Sequence, residues 1–167
     1  MEGGGESQNT EGTLPDRHRP AHLLPIETED PLIIFITVCT KNRRPLLACD
    51  DAHGLIREAW EVAKLWQVGR YVIMPDHLHL FAAPAVRPVE SVRKWTSYWK
   101  SHVSRHWPQR TEQPLWQTDI WDTQLRAAES YSAKWTYVQN NPVRAGLVTK
   151  SDAWPYQGEI HSLPWYR

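Results

Sequence analysis

Two apolar runs joined by a very short connection constrain the fold of this chain more than any other feature. Residues 70–74 and 77–83 are both rich in strand-forming side chains, and only a Pro-Asp pair separates them. Such a tight connection predicts two neighbouring strands. In a strand, residues i and i+2 project from the same face, so His77 and His79 point the same way and the leucines beside them point the other way.

His77 and His79 are candidates for a metal site. Two parallel imidazoles on a rigid strand form half of a site for a divalent cation. An isolated His-x-His is also compatible with two ordinary strand histidines that are partly exposed. The choice between these interpretations depends on residues further along the chain.

A predicted helix from about Ser130 to Asn141 supplies a second set of candidates. Tyr137 and Asn141 are four residues apart and therefore lie one turn apart on one helix face. A tyrosine, with a reference pKa of about 10, becomes useful in phosphoryl transfer when a metal polarises the phosphate. The side-chain oxygen of Asn141 is a candidate third metal ligand. The alternatives are a core tyrosine at 137 and a helix cap at Asn141, before Pro142.

The remaining sequence patterns predict a split βαβ arrangement. The expected elements are a strand at 32–40, a helix from Asp50 or Asp51 that ends at Gly69, strands at 70–74 and 77–83, a helix at 89–107 and a tryptophan-containing segment at 116–126. The order β-α-β-β-α is typical of ferredoxin-like sandwiches. We therefore predict an α+β fold in which an antiparallel sheet has its helices packed on one face.

Composition divides the chain at about residue 31. Residues 1–31 are rich in Gly, Glu, Pro and Thr without apolar periodicity, which predicts a disordered acidic tail, and 32–167 form a single folded domain. Seven acidic residues and two arginines give the tail a net charge of −5, so the domain carries +5 although the whole chain is neutral. A basic domain suits a polyanionic partner.

Several classes of protein are disfavoured by what the sequence lacks. It has no signal-peptide pattern and no apolar run near the ~20 residues that span a bilayer, so we expect a cytoplasmic protein without a membrane partner. Cys39 and Cys49 fit no metal or redox spacing and are expected to be reduced. The absence of a G-x-x-x-x-G-K-[ST] loop argues against NTP hydrolysis.

Taken together, the motifs resemble the REP-associated tyrosine transposases, which are HUH single-strand DNA transposases with one catalytic tyrosine. The resemblance spans about residues 32–160. Its segments are His77-Leu78-His79, Lys41–Pro45, Trp116-Gln117, Trp121-Asp122, Leu125-Arg126, Tyr137–Val148 and Trp154–Tyr156.

The resemblance implies a role for each matching residue. His77 and His79 would be the metal ligands, with Asn141 at the position of a third, oxygen-bearing ligand. Tyr137, on a C-terminal helix, would attack a DNA phosphate, stay joined to the 5′ end and release a 3′-hydroxyl. Members of the family use Mg²⁺ or Mn²⁺, although imidazole ligands also suit zinc. The phosphotyrosine link keeps the phosphodiester energy, so no ATP is needed.

The same resemblance implies a single-stranded hairpin DNA partner at palindromic repeats. Contacts with DNA are expected mainly from the second helix, where basic side chains can follow a phosphate backbone. The candidate residues are Arg43, Arg44, Arg93, Lys94, Lys100, Arg105, Arg126 and Arg144. Most of the ten tryptophans are expected in the core, with Trp116 and Trp121 as candidates for stacking near DNA. A homodimer is possible, and in it the tyrosine helix could serve the partner's histidines.

Two other functions remain open. A catalytically silent protein of the same fold would hold hairpin DNA without cutting it. A histidine-dependent phosphohydrolase would use His77 or His79 as nucleophile or base. Such a hydrolase would survive the loss of Tyr137, whereas a tyrosine transposase would not.

Overall fold

The computed structural model describes residues 31–164, which form a five-stranded sheet and four α-helices. The elements are β1 (Ile33–Cys39), α1 (Asp50–Val62), β2 (Trp66–Ile73), β3 (His77–Pro84), α2 (Val92–His106), β4 (Trp121–Leu125), α3 (Ala128–Gln139), α4 (Asn141–Arg144) and β5 (Gln157–Glu159). In this part of the chain no helix combines the length and apolarity needed to cross a membrane. The predicted acidic tail, apart from Pro31, lies outside the described residues.

All strand pairs are antiparallel, in the order β4-β1-β3-β2-β5. The predicted α+β class with an antiparallel sheet is therefore confirmed. β1 and β3 lie at the centre, and their register places Thr37 opposite His79 and Cys39 opposite His77. Directly opposite residues of an antiparallel pair project from the same face, so these four side chains are neighbours.

α1 and α2 pack together on one face of the sheet, as predicted. The inward residues of the central strands, such as Ile36 and Leu80, meet a helical layer rich in tryptophan. Trp95 and Trp99 of α2 are both fully buried and contact each other edge to face. This large core holds the sheet rigid under the residues on its other side.

α3 and the C-terminal segment cover the opposite face, which carries the histidine pair. Phe81 of β3 packs against Tyr131 of α3, with ring centroids 4.6 Å apart. Trp154 and Leu163 complete this smaller core, and the indole N–H of Trp154 donates to the Ile73 carbonyl at 2.9 Å. The sheet therefore has a separate apolar core on each face.

The boundary between α1 and β2 differs from the prediction. α1 ends at Val62, and Trp66 starts β2 instead of extending the helix. The spacing of Trp66 from the preceding apolar residues suits a helix, but its indole N–H donates to the Glu90 carbonyl at 3.0 Å and fixes it in the strand. Gly69, predicted to end the helix, lies inside β2 at an irregularity between Val68 and Tyr71.

Two later helix boundaries also shift. α2 begins at Val92, because the Ser91 hydroxyl accepts a bond from the Lys94 amide and caps the helix there. α3 ends at Gln139, and a separate short helix, α4, starts at Asn141. Proline has no N–H to bond and is tolerated in a first helical turn, so the residue before it can start a new helix here.

We predict that Gly69 and Leu163 are energetically coupled. A methyl group at position 69 would lie 2.6 Å from Cγ and Cδ1 of Leu163, which is fully buried. Leu163→Ala should lower the free energy of unfolding by about 2–5 kcal/mol and Gly69→Ala by about 1–3 kcal/mol. In the double variant the new methyl enters the vacated space, so urea denaturation should show less than the sum of the two losses. Strict additivity would contradict this packing.

Candidate active site

His77 and His79 lie together near the start of β3, on the face predicted from their spacing. Their ring centroids are 4.8 Å apart, with the ring planes at 82°. Nδ1 of His77 lies 2.7 Å from Oδ1 of Asp76, and Nδ1 of His79 lies 2.8 Å from the hydroxyl of Thr37. Because both Nδ1 atoms have protein partners, Nε2 is the nitrogen that each ring can offer to a ligand.

Asp76 links His77 to Arg43. Its Oδ2 lies 2.8 Å from Nε of Arg43, and its other oxygen contacts His77. Burial alone would raise the pKa of Asp76, but the hydrogen bond with His77 and the charges of His77 and Arg43 outweigh it and lower that pKa. The carboxylate is the nearest acceptor for the Nδ1 proton of His77, and this sets the tautomer that exposes Nε2.

Arg43 is held in place by further contacts and by an unusual backbone. One guanidinium nitrogen lies 2.7 Å from Sγ of Cys39, and another lies 3.4 Å from Nδ1 of His77. Asn42 and Arg43 have φ angles of 57° and 55°, in the left-handed region that few non-glycine residues adopt. This short loop after β1 turns the side chain of Arg43 back toward the histidines.

His79 is held in its neutral form. Burial, with smaller contributions from the charges of His77, Arg43, Lys134 and Arg144, lowers its pKa to about 3. Its ring stacks on Phe35 at a centroid distance of 5.4 Å and an interplanar angle of 17°. Burial also lowers the pKa of His77, so both rings are in the protonation state that binds metals.

The donor set fits a divalent cation only in part. Among residues 31–164, no group of three or more His, Cys, Asp or Glu side chains could hold a metal ion. The two neutral imidazoles of His77 and His79 therefore form a half-site. A complete coordination sphere would need further ligands of another kind, such as an amide oxygen, water or a substrate oxygen.

Tyr137 lies in the last turn of α3, which crosses the same face of the sheet as the histidines. Lys134, one turn earlier, places Nζ 5.2 Å from the ring centre of Phe35, beside His79. The side chain of Tyr137 is 62% exposed, and the guanidinium carbon of Arg144 lies 3.9 Å from its ring centre. The structure thus brings the tyrosine helix and the histidine pair to one face within a single chain.

Asn141 is the first residue of α4 and does not cap α3. The C-cap residue of α3 is Asn140, whose side-chain amide donates to the Thr136 carbonyl at 2.9 Å. Oδ1 of Asn141 accepts a hydrogen bond from the guanidinium of Arg144. The same guanidinium stacks on the ring of Tyr137, so Arg144 contacts both the candidate nucleophile and the candidate third ligand.

Two of the basic residues predicted to bind DNA hydrogen-bond to carbonyls of the protein, and for the buried Lys100 this corrects the prediction. Lys100 is only 9% exposed, and its ammonium donates to the carbonyls of Gln117 at 2.7 Å and Thr118 at 3.5 Å. Burial lowers the pKa of Lys100. Arg44 donates to the carbonyls of Glu112 at 2.5 Å and Pro114 at 2.6 Å. Both side chains hold residues 112–118, which precede β4, by hydrogen bonds to their carbonyls.

The outer face of α2 borders an open groove of about 920 Å³. Residues 113–118 form the opposite wall, and none of the described residues that line the groove is acidic. Lys94 and Arg105 are exposed there, as is Tyr98 at 51%. This surface can accommodate a polyanionic strand that stacks on an aromatic ring.

The other predicted DNA contacts are dispersed. Arg93 lies 4.0 Å from Asp122 of β4, and Arg126 is exposed just after β4. Trp121 is 57% exposed, whereas Trp116 is buried and donates its indole N–H to the Lys100 carbonyl at 3.2 Å. Trp116 is therefore a packing residue and is not available to stack on DNA.

Three residues of the site escaped the sequence analysis, namely Thr37, Asp76 and Lys134. Each had a detectable signal. Thr37 is the polar interruption of an apolar strand, and Asp76 directly precedes His77. Lys134 lies three residues before Tyr137, which is the spacing of neighbours on one helix face.

We predict that His79 makes the metal-free protein less stable in acid. Its pKa is about 3 when folded and 6.5 when free, so between these values the unfolded state binds more protons. The free energy of unfolding should therefore fall as the pH drops from 7 toward 4, with a contribution from His79 of up to about 1.4 kcal/mol per pH unit. Urea denaturation in EDTA should show a shallower slope for His79→Gln. His161→Gln, which changes an exposed histidine, is the control, and parallel slopes for wild type and His79→Gln would refute the prediction.

Comparison with known proteins finds similar sequences. The chain is 25% identical over 126 residues to the REP-associated tyrosine transposase of Escherichia coli strain K12, covering 73% of each protein. It is 23% identical over 142 residues to an uncharacterized protein of Haemophilus influenzae, covering 65% of this chain and 79% of that protein. These similarities support the resemblance found in the motifs.

A solved structure shares the fold, and a family model identifies the chain. The structure is a REP-associated tyrosine transposase bound to a REP hairpin, with a TM-score of 0.65 and 22% identity, covering 75% of this chain and 74% of that one. The model of the family described as "Transposase IS200 like" matches residues 30–141, well over half of the chain. This chain therefore belongs to the IS200-like transposase family.

Proposed function

We propose that this transposase is a metal-dependent endonuclease and strand transferase that acts on single-stranded DNA. The observation that carries the proposal is the placement of Tyr137 and the neutral His77–His79 pair on one face of the same sheet. The hydroxyl oxygen of Tyr137 attacks a phosphorus atom, the bond from phosphorus to the 3′ oxygen breaks, and the 5′ end stays on the tyrosine. The reverse attack by a 3′-hydroxyl rejoins the strand without ATP.

The side chains around the pair prepare it for this reaction. A divalent cation such as Mg²⁺ or Mn²⁺, held by Nε2 of His77 and His79, would polarise the phosphate and stabilise its developing charge. Asp76 fixes the tautomer of His77, and Thr37 fixes the ring of His79. Asn141 is the proposed third ligand, and its Oδ1, which accepts a bond from Arg144, has a second lone pair that it could offer to the metal.

The substrate we propose is a single-stranded hairpin at palindromic repeats. The relative with the same fold is bound to a REP hairpin, and this chain has a basic domain with an open, non-acidic groove. The proposed DNA contacts whose side chains stay accessible are Arg43, Arg93, Lys94, Arg105, Arg126 and Arg144. We propose that Tyr137 acts with the histidines of its own chain, and a homodimer, in which it could serve the partner's histidines, stays a prediction of the family resemblance.

We predict that Tyr137→Phe abolishes covalent attachment to DNA. Labelled hairpins taken from the flanks of the gene, incubated with Mn²⁺ or Mg²⁺, should give an SDS-resistant adduct with the wild-type protein. Tyr137→Phe removes the attacking oxygen and His77→Ala removes a ligand, so neither should form the adduct, and EDTA should prevent it. His161→Gln, which changes an exposed histidine outside the site, should form it normally.

The other outcomes of this assay separate the alternatives. Cleavage that persists in Tyr137→Phe would reject the tyrosine mechanism and favour a phosphohydrolase that uses His77 or His79. Hairpin binding without cleavage by any variant would favour a silent DNA-binding protein.

We also predict that the groove beside α2 binds the flanking single strand. Replacing both Lys94 and Arg105 by Ala should weaken binding and reduce the slope of log K against log salt by about 0.7 for each phosphate that the protein no longer neutralises. Tyr98→Ala should cost about 1–3 kcal/mol of binding free energy because a base no longer stacks on the ring, with little change in that slope. Fluorescence anisotropy over a range of salt concentrations measures both effects. Lys64→Ala, outside the groove, is the control, and an unchanged slope in the double variant would exclude phosphate binding at this surface.

A further inference from the structure

Lys134 occupies a position between the histidine pair and the candidate nucleophile. Its ammonium lies 5.2 Å from the ring centre of Phe35, whose ring in turn stacks on His79. On α3, Lys134 precedes Tyr137 by three residues, so the two side chains leave adjacent points of one helix face. A group that bridges Tyr137 and His79 would therefore pass within reach of this ammonium.

The other cations of the site are already engaged. Arg43 pairs with Asp76 and contacts Cys39, and Arg144 is bonded to Asn141 and stacked on Tyr137. Lys134 differs from both. Within residues 31–164 it forms no salt bridge with a carboxylate, and its contact is the face of an aromatic ring. A half-buried ammonium without a counter-charge is well placed to receive an anion.

We propose that Lys134 is a catalytic residue that binds a non-bridging oxygen of the scissile phosphate. This inference rests on the proposed function. As the bond from the Tyr137 oxygen to phosphorus forms and the bond to the 3′ oxygen breaks, the ammonium of Lys134 stabilises the negative charge on the phosphate. The tyrosine hydroxyl loses its proton to water, and the released 3′ oxygen takes a proton from water. Lys134 keeps its own protons throughout.

The first test compares Lys134→Met, Lys134→Arg and the control Lys64→Met. Met keeps the aliphatic stem without the charge, so it should lower the single-turnover rate of adduct formation by about 10²–10³-fold with a normal circular dichroism spectrum. The affinity for the hairpin should change far less, by no more than about fivefold. Lys134→Arg restores the charge and should recover part of the rate. An unchanged rate in Lys134→Met, or an equal loss in Met and Arg variants, would overturn the proposal.

The second test locates the contact without requiring cleavage. Hairpins with a single neutral methylphosphonate at each linkage of the flanking strand are bound to Tyr137→Phe and to Tyr137→Phe/Lys134→Met, and affinity is measured by anisotropy. The decisive linkage is the one whose phosphate becomes attached to Tyr137 in the wild-type protein. A methylphosphonate there should weaken binding to Tyr137→Phe and have little effect on binding to Tyr137→Phe/Lys134→Met. If no linkage shows this coupling, Lys134 binds no phosphate and the inference fails.

Failure of the proposed function gives a different pattern. In that case the wild-type protein forms no adduct, yet the methylphosphonate scan still shows whether Lys134 contacts a particular phosphate. An adduct in wild type together with an uncoupled scan would reject the role of Lys134 alone.

Discussion

The pairing register of β1 with β3 is the constraint on which the candidate site depends. It places Thr37 opposite His79 and Cys39 opposite His77, so the Nδ1 partner of His79 comes from β1, whereas Asp76, the partner of His77, directly precedes β3. A slip of one residue would turn the whole histidine row into the tryptophan-rich core on the other face. The large apolar core under α1 and α2 prevents such a slip, because it would lose the leucines of β3 and bury the histidines in their place.

A second constraint positions the tyrosine helix. Phe35 and Phe81 of the central strands form an aromatic surface, against which Tyr131 of α3 packs. Because helical side chains three residues apart are neighbours, this single anchor also sets Lys134 over Phe35 and Tyr137 one turn further on. Candidate site residues from two distant parts of the chain are thus brought to one face of the sheet by ordinary core packing.

The sequence predicted those features that depend on local periodicity. Strand alternation correctly placed His77 and His79 on one face, and the element order predicted the antiparallel sheet. Prediction from the sequence failed where the position of a side chain depends on backbone atoms that are distant in the chain. Nothing near Lys100 or Arg44 shows that carbonyls of residues 112–118 come within bonding distance, and helical spacing could not show that Trp66 starts a strand. Asn141 was ambiguous, because proline can follow a helix end or open a new helix.

The exposure of Tyr137 bears on the covalent chemistry proposed for it. Its ring rests on Arg144 at the surface of the helix and is not wedged into the small core beneath α3. A strand attached to the phenolic oxygen by the proposed reaction would therefore displace no side chain of that core. The fold could carry such a covalently linked polymer without repacking its interior.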